Sequence, residues 1–83
     1  MSVCVLIFRS IHDVLKAEKM MNEQDIPLRL IPVPKEVSAD CGMGIQVSCE
    51  ELDKIRNLLS NADERLLGVY KLEGTAFKPV REK

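Results

Sequence analysis

The chain has 83 residues, which is room for one hydrophobic core and not for two. Its net charge of −1 supplies no long-range field for a polyanion, and its aromatic residues are two Phe and one Tyr, so charge and aromatic content argue against a nucleic-acid interface. The apolar share of 46% is enough for a folded domain and too high for a disordered one.

Val3–Phe8 is a short, continuous apolar run rich in β-branched residues, and it reads as a buried strand. It is too short to span a membrane, and no basic segment precedes it as in a signal peptide. A cytoplasmic location is expected. Ser10 follows as an N-cap, with Asp13 in the first turn. The spacing predicts a helix over residues 11–24, with Ile11, Val14, Leu15, Ala17 and Met21 on one broad face and the exit at Asp25. Ile26–Val33 reads as a second strand. Pro27 and Pro32 lack amide donors and assign it to a sheet edge.

Pro34–Asp40 is a polar loop. Met43, Ile45 and Val47 alternate with smaller or polar residues and mark a third strand. Ser48 and Glu51 have capping-box spacing ahead of a second helix, whose stripe is Leu52, Ile55, Leu58, Leu59 and Ala62 and whose end falls near Asp63. Leu66–Leu72 is the fourth strand. The domain then spans residues 1–74, and the charged segment Thr75–Lys83 is expected to be a loose tail.

The order β-α-β-β-α-β is the ferredoxin-like, split βαβ arrangement: an α+β fold with a four-stranded antiparallel sheet, usual order 4-1-3-2, and two helices on one face. In strand one, Val3, Val5 and Ile7 face opposite to Cys4, Leu6 and Phe8, and both sets are apolar. With helices on one face only, the other is left aliphatic, so a homodimer or a stable partner complex through the open face is expected.

Three cysteines cannot all pair within one chain, and an odd count in a reducing compartment favours free thiols. Cys4, inside a strand, reads as a small buried hydrophobe. Cys41 is placed differently, in the run Asp40-Cys41-Gly42-Met43-Gly44, where Gly42 and Gly44 leave the sulfur approachable. The chain direction brings Cys41 beside the N-terminus of helix one, close to Arg9, Ser10 and His12. Unpaired amides and the helix dipole favour a thiolate there. The competing reading is an inert turn residue, with Arg9 and His12 as solvated surface groups. Cys49 opens helix two at the far end of strand three, as an activated thiol or simply a small residue at a helix start. No C-x-x-C pair is present, and one His serves neither a hydrolytic metal centre nor a catalytic triad. Cys41 and Met43 are soft ligands at a nonspecific spacing. No metal or other cofactor is expected.

Taken together, Phe8-Arg9-Ser10, Val14-Leu15-Lys16-Ala17-Glu18-Lys19, Asp25-Ile26-Pro27, Ile31-Pro32-Val33-Pro34 and Cys41-Gly42 resemble the selenium/sulfur carrier-like proteins, a family of small prokaryotic domains. The resemblance covers residues 3 to about 72. It implies that Cys41 holds sulfur or selenium as a persulfide or perselenide, and it assigns no role to Cys49.

Two functions follow. In the first, the chain is a carrier more than a self-contained enzyme: a cysteine desulfurase-like donor loads Cys41 and an acceptor enzyme unloads it. In the second, it is a non-catalytic interaction module or homodimeric regulatory domain, and Cys41 is incidental. The rate of Cys41 alkylation against pH separates them.

Overall fold

The β-branched run at the N-terminus becomes strand β1 (Val3–Ile7), and it lies in the interior of the sheet. In the computed structural model, residues 2–38, 41–62 and 66–80 are described. Asp40, the exit of helix two near Asp63 and the last three residues of the expected tail fall outside them. After β1 come α1 (Ile11–Glu23), β2 (Arg29–Pro32), β3 (Met43–Ser48), a 3-10 turn (Cys49–Glu51), α2 (Leu52–Asn61), β4 (Gly68–Glu73) and β5 (Ala76–Pro79). The described residues thus form an α+β fold with two α-helices and an antiparallel sheet in the order β2-β3-β1-β4-β5.

The expectation of four strands and a loose tail after residue 74 is corrected by β5. Glu73 pairs with Ala76, so Gly74-Thr75 is a two-residue hairpin loop. Gly74 has φ +64 while Thr75 keeps a negative φ, the backbone of a type II′ turn with glycine first. That turn matches strand twist, so the chain returns along β4. Strand β2 is shorter than the apolar alternation suggested. Ile26, Pro27 and Leu28 instead form the approach from α1.

Helix α1 is capped at both ends. The Asp13 amide donates to the Ser10 hydroxyl oxygen at 3.3 Å. At the other end Asp25 takes φ 58, and the Ile26 and Asp25 amides donate to the carbonyls of Met21 and Asn22 at 3.0 and 3.1 Å. This is a Schellman ending, completed by burial of Met21 and Ile26. The buried stripe is narrower than the sequence suggests: Val14, Ala17 and Met21 are buried, whereas Ile11 and Leu15 are 47% and 50% exposed. The second helix opens through the 3-10 turn. The Ser48 hydroxyl accepts from the Glu50 amide at 3.4 Å, one residue earlier than the capping box requires.

Strand alternation sorts the core into two layers. Leu6 lies between Ile45 and Val69 and packs with Cys4 and Phe8 against Val14, Ala17 and Met21 of α1 and Ile55 and Leu59 of α2. On the opposite face Val5, Ile7 and Val33 are buried, with Ile31, Val37, Tyr70, Leu72 and Phe77 packed around them. The expected bare aliphatic face is therefore covered within one chain. Glycine makes this possible. Ile7 is flanked by Gly44 on β3 and Gly68 on β4. A Cβ on Gly44 would meet Val5 Cγ1 at 2.7 Å and Val33 Cγ1 at 3.1 Å. The segment after Val33 turns back where the Val37 and Ser38 amides donate to the Pro34 carbonyl at 2.9 and 3.0 Å.

Candidate functional site

Cys41 lies in the turn that enters β3, and the geometry of that turn is set by its neighbour. Gly42 has φ +74, a conformation L side chains rarely adopt, and space around it is open. Its carbonyl accepts from the Val33 amide at 3.0 Å, which ties the turn to the end of β2. The β1–β3 register ends at Ile7 with Gly44 and, continued along both chains, runs toward Arg9 and Ser10 beside Gly42 and Cys41. Arg9 and Ser10 thus belong to the same end of the sheet as Cys41. Arg9 and the first-turn His12 are exposed, and Ser10 is half-buried with its hydroxyl occupied in the α1 cap.

Two expectations about the surroundings of Cys41 change. The cysteine is half-buried and packs against the rim of the helix-side core. Cys41 precedes β3, and the positive φ of Gly42 between them breaks strand alternation, so the side on which Cys41 packs is set by the turn. Gly44 does not open space around the sulfur. It is buried on the opposite face and accommodates Val5 and Val33. On that outer face, at the same end of the sheet, Ile7, Phe8, Val37, Ser38 and Tyr70 line a cleft of about 150 Å³.

The expectation of three free thiols is overturned. Cys4 and Cys49 form a disulfide, with Cα atoms 5.1 Å apart and a separation of 45 positions in sequence. Cys41 is the free cysteine. The pairing follows from topology. Cys4 lies near the start of β1, and Cys49 directly follows β3, the antiparallel neighbour of β1. The Cys49 amide also donates to the Ser2 carbonyl at 3.1 Å. The signal was present in the sequence, since adjacent antiparallel strands one and three bring the start of one beside the end of the other. Reading Cys4 as an isolated core residue concealed it. The disulfide and Cys41 occupy opposite ends of β3.

Among the described residues, no group of three or more His, Cys, Asp or Glu is arranged to hold a metal ion. No helix among them is long and apolar enough to cross a membrane.

The sequence profile of the family described as "Putative Se/S carrier protein-like" matches residues 3–71. The chain belongs to this family. The match takes in β1 through most of β4 and all three cysteines, and it stops before β5. No curated protein and no solved structure matches the chain. Within the matched residues, Cys41 is the free cysteine.

Proposed function

We propose that this protein is a small carrier of sulfur or selenium, held as a persulfide or perselenide on Cys41. The observation that carries the reading is the coincidence of membership in a Se/S carrier-like family with a single free thiol. In the sulfur case the Cys41 thiolate attacks the terminal sulfur of a donor persulfide, of the kind a cysteine desulfurase forms. The donor leaves as its thiolate, and the outer sulfur ends on Cys41. An acceptor thiolate or other nucleophile repeats the step in the opposite sense. No oxidant is needed, because the transferred sulfur keeps its oxidation level throughout.

Such a carrier needs a reachable thiol and a docking surface, and no deep substrate pocket. Ile11 and Leu15, one turn apart on α1 directly after Ser10, are large, apolar and about half exposed. They supply apolar anchors for donor and acceptor at the end of the sheet that carries Cys41. Arg9, exposed beside them, provides a cationic group for an acidic partner surface, and the exposed His12 adds a polar one. Ser10 and Gly42 hold the backbone on either side of the thiol, and Gly44 supports the strand behind it.

The test is sulfur loading followed by intact mass. Incubated with a cysteine desulfurase and cysteine, the native chain gains a sulfur that a reductant removes. Cys41→Ser gains none. Loading of the Cys41→Ser chain removes Cys41 from the mechanism.

A further inference from the structure

We propose that Cys4–Cys49 is a reversible thiol–disulfide couple, which exchanges with low-molecular-weight thiols at Cys49 and uses Cys4 as the resolving thiol. The site is separate from Cys41, and the inference does not rest on the carrier reading. Three observations carry it. First, the two members are unequally accessible. Cys4 is 1% exposed in the middle of the core, whereas Cys49 is half-buried at the end of β3. An incoming thiolate therefore meets Cys49. Second, the bond is not what brings its members together. β1 is paired along its length with β3 and β4, and the Cys49 amide is bonded to the Ser2 carbonyl. After reduction the sheet still holds the two thiols side by side, with their Cα atoms near the 5.1 Å now observed. Third, Cys41 lies at the opposite end of β3, so it does not compete for either sulfur within one chain.

The chemistry is balanced by two equivalents of a monothiol such as glutathione. The first thiolate attacks Cys49 Sγ, and a glutathione–Cys49 mixed disulfide forms. Cys4 leaves as a thiolate and takes up a proton. The second thiolate attacks the glutathione sulfur, giving oxidised glutathione and free Cys49. Two electrons pass to the protein. In reverse, oxidised glutathione forms the mixed disulfide on Cys49, and Cys4 displaces glutathione to close the bond. Burial makes Cys4 a poor leaving thiol, so exchange is slow and its entry point is confined to Cys49.

The experiment uses the Cys41→Ser chain, native and well below its melting transition, in graded mixtures of reduced and oxidised glutathione. Samples are acid-quenched, alkylated and weighed intact. The expected result is one curve of dithiol against disulfide reached from both directions, with the far-ultraviolet circular dichroism of the folded chain retained. A bond that opens only when the chain is denatured, or whose reduction abolishes the folded spectrum, makes it a structural staple and overturns the proposal. Single-cysteine chains give a second readout. With Cys41→Ser and Cys4→Ser combined, oxidised glutathione adds to Cys49. With Cys41→Ser and Cys49→Ser combined, the native chain takes no adduct on Cys4. An adduct on Cys4 in the folded chain reverses the assignment and sinks it.

Discussion

Gly44 has no side chain, and the outer layer of the core depends on that absence. A methyl group there meets Val5 Cγ1 at 2.7 Å and the Leu6 carbonyl at 3.2 Å, and neither a buried valine nor a paired backbone yields cheaply. Gly44→Ala is expected to cost about 1–3 kcal/mol, the usual cost of overpacking, and urea denaturation measures it. Gly42 differs, because its surroundings are open and its backbone is what excludes a side chain. Gly42→Ala is expected to cost about 1–2 kcal/mol, since the alanine must hold a left-handed conformation. Cys41 is half-buried at the rim of the core, so Cys41→Ser should change stability by no more than about 1 kcal/mol. Sulfur loading is expected to be lost in the same variant. A large loss of stability instead would make Cys41 a packing residue. Before the structure, the loop context set Cys41 apart from Cys4, but neither its partial burial nor the pairing that leaves it the free cysteine was legible. Burial depends on the turn through Gly42, whose positive φ breaks strand alternation before β3.

At the scale of elements, α1 presents two apolar sets on one helix. Val14, Ala17 and Met21 anchor it to the sheet, and Ile11 and Leu15 remain outward. Leu15→Glu should therefore leave the urea midpoint nearly unchanged while slowing sulfur transfer from a desulfurase. An unchanged transfer rate would remove the outward face of α1 from docking. The helix also ends on a residue that tolerates its conformation less well than glycine does. Asp25→Gly relieves the positive φ in the Schellman ending and should stabilise the chain by about 0.5–1 kcal/mol. The β4–β5 hairpin turns on Gly74 and sets Phe77 opposite Leu72 on the outer face. It was missed because Thr75–Lys83 is charged and proline-containing. The Gly-Thr pair nevertheless suits a two-residue turn, and the alternation Ala76, Phe77, Lys78 fits a short edge strand.

For the whole molecule, the disulfide sets how much stability depends on redox conditions. Closing a loop of 45 residues is worth ~4 kcal/mol in the chain-entropy account, a large part of the stability of a small domain. Reduction should lower the melting temperature by as much as roughly 15–30 °C while the transition stays cooperative, as calorimetry with and without reductant would record. Association is governed by the outer face and the sheet edges. Val5 and Ile7 are buried within the chain, and edge strands β2 and β5 carry Pro32 and Pro79, which supply no amide to a neighbouring strand. Sedimentation equilibrium at micromolar concentration is expected to give a monomer. A dimer would show that the apolar groups left exposed or partly exposed, such as Leu67 or Phe77, pair between chains.

Taken alone, the sequence determined much of what repeats with a local period or depends on a neighbouring residue. Those features are the apolar strand at Val3, the Ser10 cap, the exit at Asp25, the alternation through Ile45 and Val47, and the stripe through Ile55 and Leu59. They follow from backbone geometry and from the side-chain periods of strands and helices. Only the tertiary structure decided what depends on residues distant in sequence. It paired Cys4 with Cys49, brought Val33 and Val37 over the glycine gap beside Ile7, turned Ile11 and Leu15 outward and enlisted the tail as a strand. Local propensity carries no term for contacts across 45 residues, and such contacts exist only once the register of β1 with its neighbours is established.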